Sequence, residues 1–184
     1  MASMINPRLD FYAVHYNSTI YVFGGKNQYG PMRSCERYDI SQNKWTMLPS
    51  LPEATSNMAG VLTVDDGESS KLIKKPKLNL ELVILSGGYT KYEASRMVYQ
   101  FDFKYQKYVQ MPKMMFHRAE HIMDIVTIND ESSLITVGGS DHPYNGRVVW
   151  NIEILTNDGW RIYDRIHPTG PFAKGELYDT KNKN

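Results

Sequence analysis

Cysteine is almost missing from this chain: Cys35 stands alone among 184 residues. A lone thiol cannot close an internal disulfide, which excludes a disulfide-stapled secreted scaffold and suits a reducing compartment. Long apolar runs are missing too, and none approaches the ~18 residues a membrane helix needs. The opening MASMINPRLDFY lacks the apolar stretch of a secretory signal. Asn17-Ser18-Thr19 therefore reads as a polar turn rather than a glycosylation site, and the expected location is cytoplasmic. An excess of charge of one sign is lacking as well. A net charge of +1 gives no electrostatic reason to expect nucleic acid or an anionic membrane as partner. Phosphate loops, nucleophile elbows, zinc clusters and dinucleotide fingerprints are all lacking. No cofactor, metal or catalytic residue is expected on that basis. The hydrophobic share of 41% is nevertheless that of a globular chain with a real core.

What the chain does have is repetition. Three Gly-Gly pairs, Gly24-Gly25, Gly87-Gly88 and Gly138-Gly139, close the apolar runs IYVFGG, LVILSGG and LITVGG. Counted from the second glycine, Arg33, Arg96 and Arg147 stand eight residues on. Tyr38, Phe101 and Ile152 stand thirteen on, and Asp39, Asp102 and Glu153 fourteen on. Trp45 and Tyr108 stand at offset twenty, with Trp160 displaced by one. Each apolar run is short and alternating or fully apolar, as buried strands are, and polar turns such as Asn17-Ser18 and Ser41-Gln42-Asn43-Lys44 separate the runs. No segment shows a convincing helical period, so the fold class is all-β.

The order Gly-Gly, aromatic-Asp, Trp, then a Pro- and Arg-containing turn resembles the kelch motif. YVFGGKNQYGPMRSCERYDISQNKWTMLPSLP carries it best; LSGGYTKYEASRMVYQFDFKYQKYVQMPKMMFHR is a more degenerate copy. The resemblance implies a kelch-type β-propeller of about three four-stranded blades, one per repeat of about 50 residues. The kelch-repeat region would run over residues 1–167, with 168–184 as an irregular tail. DDGESSKLIKKPKLNLE, residues 65–81, would be an expanded surface loop, basic and solvated. By the same resemblance, the strand after Asn6-Pro7-Arg8 would be a spare final strand, and the last unit would lack one beyond Trp160. Propellers hold four to eight blades. The arc is therefore read as partial, truncated from a longer propeller or completed by dimerisation as a homodimer, with a divergent fourth unit in the insertion and the tail as the third alternative.

The functional expectation is a non-catalytic protein–protein interaction module, a kelch-type scaffold or adaptor. Its candidate site is the loop set Tyr29, Arg33, Tyr92, Arg96, Tyr144 and Arg147, one Tyr and one Arg per unit. Tyr and Arg dominate protein-binding hot spots. The resemblance implies an acidic partner peptide held by forked guanidinium bonds, with cytoskeletal or ubiquitin-ligase proteins as partners. The structural alternative has each Arg satisfying carbonyls or carboxylates of a neighbouring blade. Asp39, Asp102 and Glu153 are expected to cap turns or bond between blades, since a repeat spreads them around a ring. His117 and His121 in HRAEH fall on a turn leading into a strand, unsuited to the i, i+4 ligation a helix allows. Arg118 between them is the arginine of the kelch pattern, with Thr55 departing from it in the preceding unit. Cys35 shares its offset with Val98 and Val149, which marks a buried apolar slot. A propeller-fold enzyme acting on sugars or oxidising at a metal, and a non-functional remnant, are the alternatives left open.

Overall fold

The computed structural model describes residues 1–63, 82–128, 131–142 and 147–166. Those residues form three four-stranded antiparallel sheets and no helix. The first sheet holds β1 (Tyr12–Tyr16), β2 (Thr19–Phe23), β5 (Cys35–Asp39) and β6 (Lys44–Leu48), in that spatial order. A two-residue ladder of β3 (Lys26–Asn27) and β4 (Gly30–Pro31) stiffens the loop between β2 and β5. The second sheet holds β7 (Ala59–Thr63), β8 (Leu82–Ser86), β9 (Val98–Asp102) and β10 (Lys107–Gln110). The third holds β11 (Ile122–Ile128), β12 (Glu131–Val137), β13 (Asn151–Thr156) and β14 (Gly159–Arg165). Each is a propeller blade, a meander whose first strand approaches the first strand of the next blade. The architecture is a partial kelch-type β-propeller.

Local chemistry explains the meanders. Asn17 and Ser18 take φ of 45° and 55°, the twist a two-residue hairpin requires. Asn43 and Gln106, both at φ 50°, end the equivalent third-to-fourth-strand turns. Asp39 Oδ1 accepts from Ser41 Oγ and the Gln42 amide, and Asp102 Oδ1 accepts from the Lys104 and Tyr105 amides. Those two carboxylates cap turns, as expected.

Apolar faces meet between blades. Tyr21, Phe23, Cys35 and Leu48 of blade 1 pack on Val83, Leu85, Phe101 and Phe103 of blade 2. Ala59, Ile84 and Val98 of blade 2 pack on Met123, Leu134 and Trp160 of blade 3. Full burial of side chains such as Phe23 and Phe101 contributes about 1.5–3 kcal/mol each.

Two sequence expectations give way. The N-terminal strand is not a spare final strand: β1 pairs with β2 inside blade 1, and β14 completes blade 3. Every blade is closed by contiguous chain, so strand exchange is not the route to a full ring. Register also moves the third repeat. Cys35 pairs across from Phe23 and Val98 from Ser86, each just before its Gly-Gly; in blade 3 the matching pair is Ile152 and Val137. The loop after Gly139 is therefore three residues longer than its counterparts, while Asn157-Asp158 makes a turn two residues shorter. The net displacement of one is where Trp160 stood in the sequence. The counterpart of Tyr38 and Phe101 is thus Leu155, not Ile152, and that of Asp39 and Asp102 is Thr156, not Glu153.

Candidate interaction face

Strand order sorts the connections onto two faces. Second-to-third-strand loops and blade-to-blade linkers lie at the Gly-Gly end. First-to-second and third-to-fourth turns lie at the other. The 65–81 insertion joins β7 to β8, so its anchor points are on the face away from the Gly-Gly loops; the insertion, Tyr144 and the 168–184 tail lie outside the described residues.

A repeated clamp holds the Gly-Gly face in shape. In each unit the fourth-strand aromatic donates to one linker carbonyl: Trp45 Nε1 to Ala2 O, Tyr108 OH to Pro49 O, and Trp160 Nε1 to Pro112 O. Six residues beyond that carbonyl stand Arg8, Thr55 and Arg118. Arg8 reaches Glu36 Oε1 at 2.6 Å, and Arg118 reaches Glu153 Oε1 at 2.5 Å, all four side chains fully buried. The glutamates also accept linker amides, Ile5 and Asn6 for Glu36, Met115 and Phe116 for Glu153. Each arginine then donates to the carbonyl of its first glycine, Gly24 or Gly138. Leu9, Ser56 and Ala119 next pair with the residue following each Gly-Gly. This is why the second glycine must be glycine: a Cβ on Gly25, Gly88 or Gly139 would stand 2.6 Å from the carbonyl of Leu9, Ser56 or Ala119.

The expected Arg/Tyr set is brought to this face in part. Tyr29 is 87% and Tyr92 74% exposed, with Lys91 Nζ 5.5 Å from the Tyr92 ring centre. Arg33 and Arg96 occupy equivalent, exposed positions, since Leu51 N donates to Arg33 O and Met114 N to Arg96 O. Arg33 Nε also donates to Leu51 O at 2.7 Å, a structural bond of the kind the alternative reading anticipated. The Arg96 guanidinium makes no hydrogen bond among the described residues. Arg147 is exposed but is not their counterpart. Met32, Ser95 and Val149 are the residues whose amides donate to Gly25, Gly88 and Gly139, so the third position belongs to Trp150, 40% exposed. Arg147 instead borders an open groove with Glu93, Asp141 and His142. Two carboxylates there make its surroundings mixed in charge.

The Kelch motif family matches residues 7–52. Kelch-like protein 36 of Rattus norvegicus is 28% identical over 145 residues, covering 77% of this chain and 20% of the relative. Kelch-like protein 41a of Danio rerio is 38% identical over 65 residues, 35% of this chain and 11% of the relative. Alpha-scruin of Limulus polyphemus is 29% identical over 116 residues, 57% and 11%. Residues 7–52 thus carry a kelch motif, and most of the chain is similar to part of a kelch-like protein. The chain spans about a fifth of the length of Kelch-like protein 36.

The kelch frame accounts for the buried polar residues. Glu36, unremarked in the sequence at offset eleven, is the partner of Arg8 and the counterpart of Glu153. In the middle unit both partners change together, to Thr55 and Tyr99, and a cavity of about 10 Å³ lies between them and Ser86. His121 is buried with Nε2 2.8 Å from Ser86 Oγ, and burial, helped by the Arg118 charge, pulls its pKa down to about 3. His117 Nδ1 bonds the Ala94 carbonyl at 2.7 Å. The two imidazoles of HRAEH thus have separate partners, and among the described residues no three His, Cys, Asp or Glu side chains converge. Cys35 is fully buried, as its offset implied, and desolvation raises its thiol pKa. Its matching residue in blade 3 is Ile152, however, and not Val149.

Proposed function

We propose that this kelch-repeat chain is a non-catalytic interaction module, a cytoplasmic scaffold or adaptor that holds an acidic segment of a partner protein on its Gly-Gly face. The kelch-repeat region is taken as 1–167 and the tail as 168–184. The observation that carries the reading is the pairing, on one clamped loop, of the exposed Tyr92 ring and the exposed Arg96 guanidinium, repeated in blade 1 by Tyr29 and Arg33. A rigid backbone under these aromatic and guanidinium side chains confines the ordering cost of binding to the side chains themselves, which favours affinity. A carboxylate would engage Arg96 by a forked bond, and Trp150 would supply apolar contact where the third arginine was expected. Tyr144 and Arg147 remain members of the proposed set.

The test uses a fluorescent Glu/Asp-rich peptide and its Gln/Asn counterpart. The acidic peptide should bind and the neutral one should not. The Arg96→Ala variant should weaken binding roughly tenfold while thermal stability holds, as expected for loss of a charge-assisted bond. Arg33→Ala should add a loss of about 1 kcal/mol in stability, because Leu51 O loses its donor. Equal binding of both peptides, or none, would refute the acidic-ligand reading.

A further inference from the structure

Both blade junctions are stitched by the same three backbone hydrogen bonds. Between blades 1 and 2, Gly25 N donates to Thr55 O, Thr55 N to Met32 O, and Asn57 N to Asp10 O, at 2.9, 3.3 and 2.8 Å. Between blades 2 and 3, Gly88 N donates to Arg118 O, Arg118 N to Ser95 O, and Glu120 N to Asn57 O, each at 3.0 Å. Stepping the pattern one unit onward leaves Gly139 N, Val149 O and Glu120 O at the far side of blade 3. Stepping it one unit back leaves Arg8 O, Arg8 N and Asp10 N at the near side of blade 1. None of these six groups has a backbone partner across a junction among the described residues. Donor at one end answers acceptor at the other in all three rows.

The glycines repeat the message. A Cβ on Gly24 would run into the Thr55 carbonyl of the next unit, and one on Gly87 into the Arg118 carbonyl of the next. A Cβ on Gly138 would meet nothing within 4 Å among the described residues. That is the space the corresponding carbonyl, the one of Arg8, would fill. Inner-strand side chains match as well. Large meets small at both junctions: Tyr12 against Gly60, where an added Cβ would come 2.8 Å from the ring, and Met123 in one cluster with Ala59. The corresponding open positions are Ile122, 65% exposed, and Ala13, also exposed. One step along, the apolar pairs Val14 with Leu62 and Val61 with Ile125 sit within the two junction cores. Their open counterparts are Asp124 and His15, both exposed. A solvated terminal face would carry polar residues too. The unmatched hydrogen-bond rows and the space at Gly138 are what call for an occupant.

We infer that the far face of blade 3 docks on the near face of blade 1 of a second copy of this chain. Two three-blade arcs then close head to tail into a six-blade ring with two identical junctions, within the range propellers occupy. A heterologous contact of this type gives a closed ring when its rotation returns to the start. Asp124 of one copy would face His15 of the other, and Ile122 would seat against Ala13. The inference stands apart from the acidic-peptide reading, since the peptide face lies on the loops and the docking faces lie on the sheets.

Multi-angle light scattering on the full chain at micromolar concentration should give twice 21.2 kDa. Ile122→Glu places a carboxylate at an exposed site, so circular dichroism and melting should barely change while association weakens roughly a hundredfold, as for loss of a central hot spot. Gly138→Ala, which meets no atom within 4 Å among the described residues, should weaken it as well. An equimolar mixture of Ala13→Cys and Ile122→Cys chains should cross-link through a short bis-maleimide, and neither variant alone should. A monomer at these concentrations overturns the inference. So does cross-linking in the Ala13→Cys sample alone, which would mean like faces meet, or association indifferent to Ile122→Glu.

Discussion

Glu153→Ala is the substitution that tests the clamp most directly. Glu153 and Arg118 are both at 0% side-chain exposure, so removing the carboxylate leaves a guanidinium buried between blades 2 and 3. Desolvation already pulls the Arg118 pKa down, with Glu153 acting against it. Breaking one partner of such a pair costs about 3–5 kcal/mol, mostly the penalty of the stranded charge. The Met115 and Phe116 amides lose their acceptor in the same step. The protein carries its own control, because the middle unit replaces both partners, with Thr55 and Tyr99. Arg118→Thr combined with Glu153→Tyr copies that solution into blade 3. It removes both charges, and beyond the Met115 and Phe116 amide loss it shares with Glu153→Ala its cost should be about 2 kcal/mol, from the donors that Gly138 O and Asn151 O lose. The double variant should therefore be more stable than Glu153→Ala alone. Urea unfolding followed by tryptophan fluorescence gives both numbers, with Trp160 reporting from the affected blade. A cost below about 1 kcal/mol for Glu153→Ala would refute the buried-charge argument. So would a double variant as damaged as the sum of the singles.

Acid should act through His121. Its folded pKa of about 3 lies below the unfolded value near 6.5, so its contribution is complete above pH 6.5 and is lost as pH falls toward 3. By pH 5 the loss is about 2 kcal/mol, and melting of His121→Gln between pH 7.5 and 5 should show a correspondingly flatter slope. Gly87→Ala and Gly138→Ala share a left-handed backbone, φ 59° and 71°, yet only the first drives a Cβ into a carbonyl, that of Arg118. Gly87→Ala should cost at least about 2 kcal/mol more in urea unfolding, as overpacking against backbone does. Trp160→Phe keeps the ring in its cluster but removes the bond to Pro112 O, and should cost about 1 kcal/mol by thermal melt.

The blades were legible in the sequence because strands, turns and Gly-Gly pairs are local signals. Asn17-Ser18 gave the first hairpin, and the apolar runs gave the second strands. The third repeat was misaligned because an offset count assumes equal loops. A lengthened loop and a shortened turn nearly cancel at Trp160 and hide the slip at Ile152 and Glu153 between them. Arg147 was set level with Arg33 and Arg96 by the same slip, where the register puts Trp150. Arg8 with Glu36 was invisible for another reason. The pair joins residues 28 apart in chain, and nothing local marks a glutamate inside an alternating strand as buried. One signal could have found it: Arg8, Thr55 and Arg118 each precede their Gly-Gly, and Glu36 has an acidic counterpart only where the arginine is kept.

That covariation within one chain also bears on what the ion pair is for. If the pair were needed to hold the linker, the middle linker should be loose. Beyond the aromatic bond that every linker receives, it is held by Arg33 Nε on Leu51 O and Ser95 Oγ on Glu53 at 2.7 Å. One of these comes from the middle blade itself and one from the blade before it. The first linker has no preceding blade among the described residues, and it keeps its pair. The last linker receives the Arg96 carbonyl bond through Met114 N but no side-chain donor from residue 96, and it too keeps its pair. The buried arginine–glutamate pair therefore accompanies the linkers that take no guanidinium bond from the preceding blade among the described residues. On this view Arg33 belongs half to the scaffold, whereas Arg96, its equivalent one blade on, is released from it. That difference is why Arg96, and not the set as a whole, is the residue on which the interaction face should be tested first.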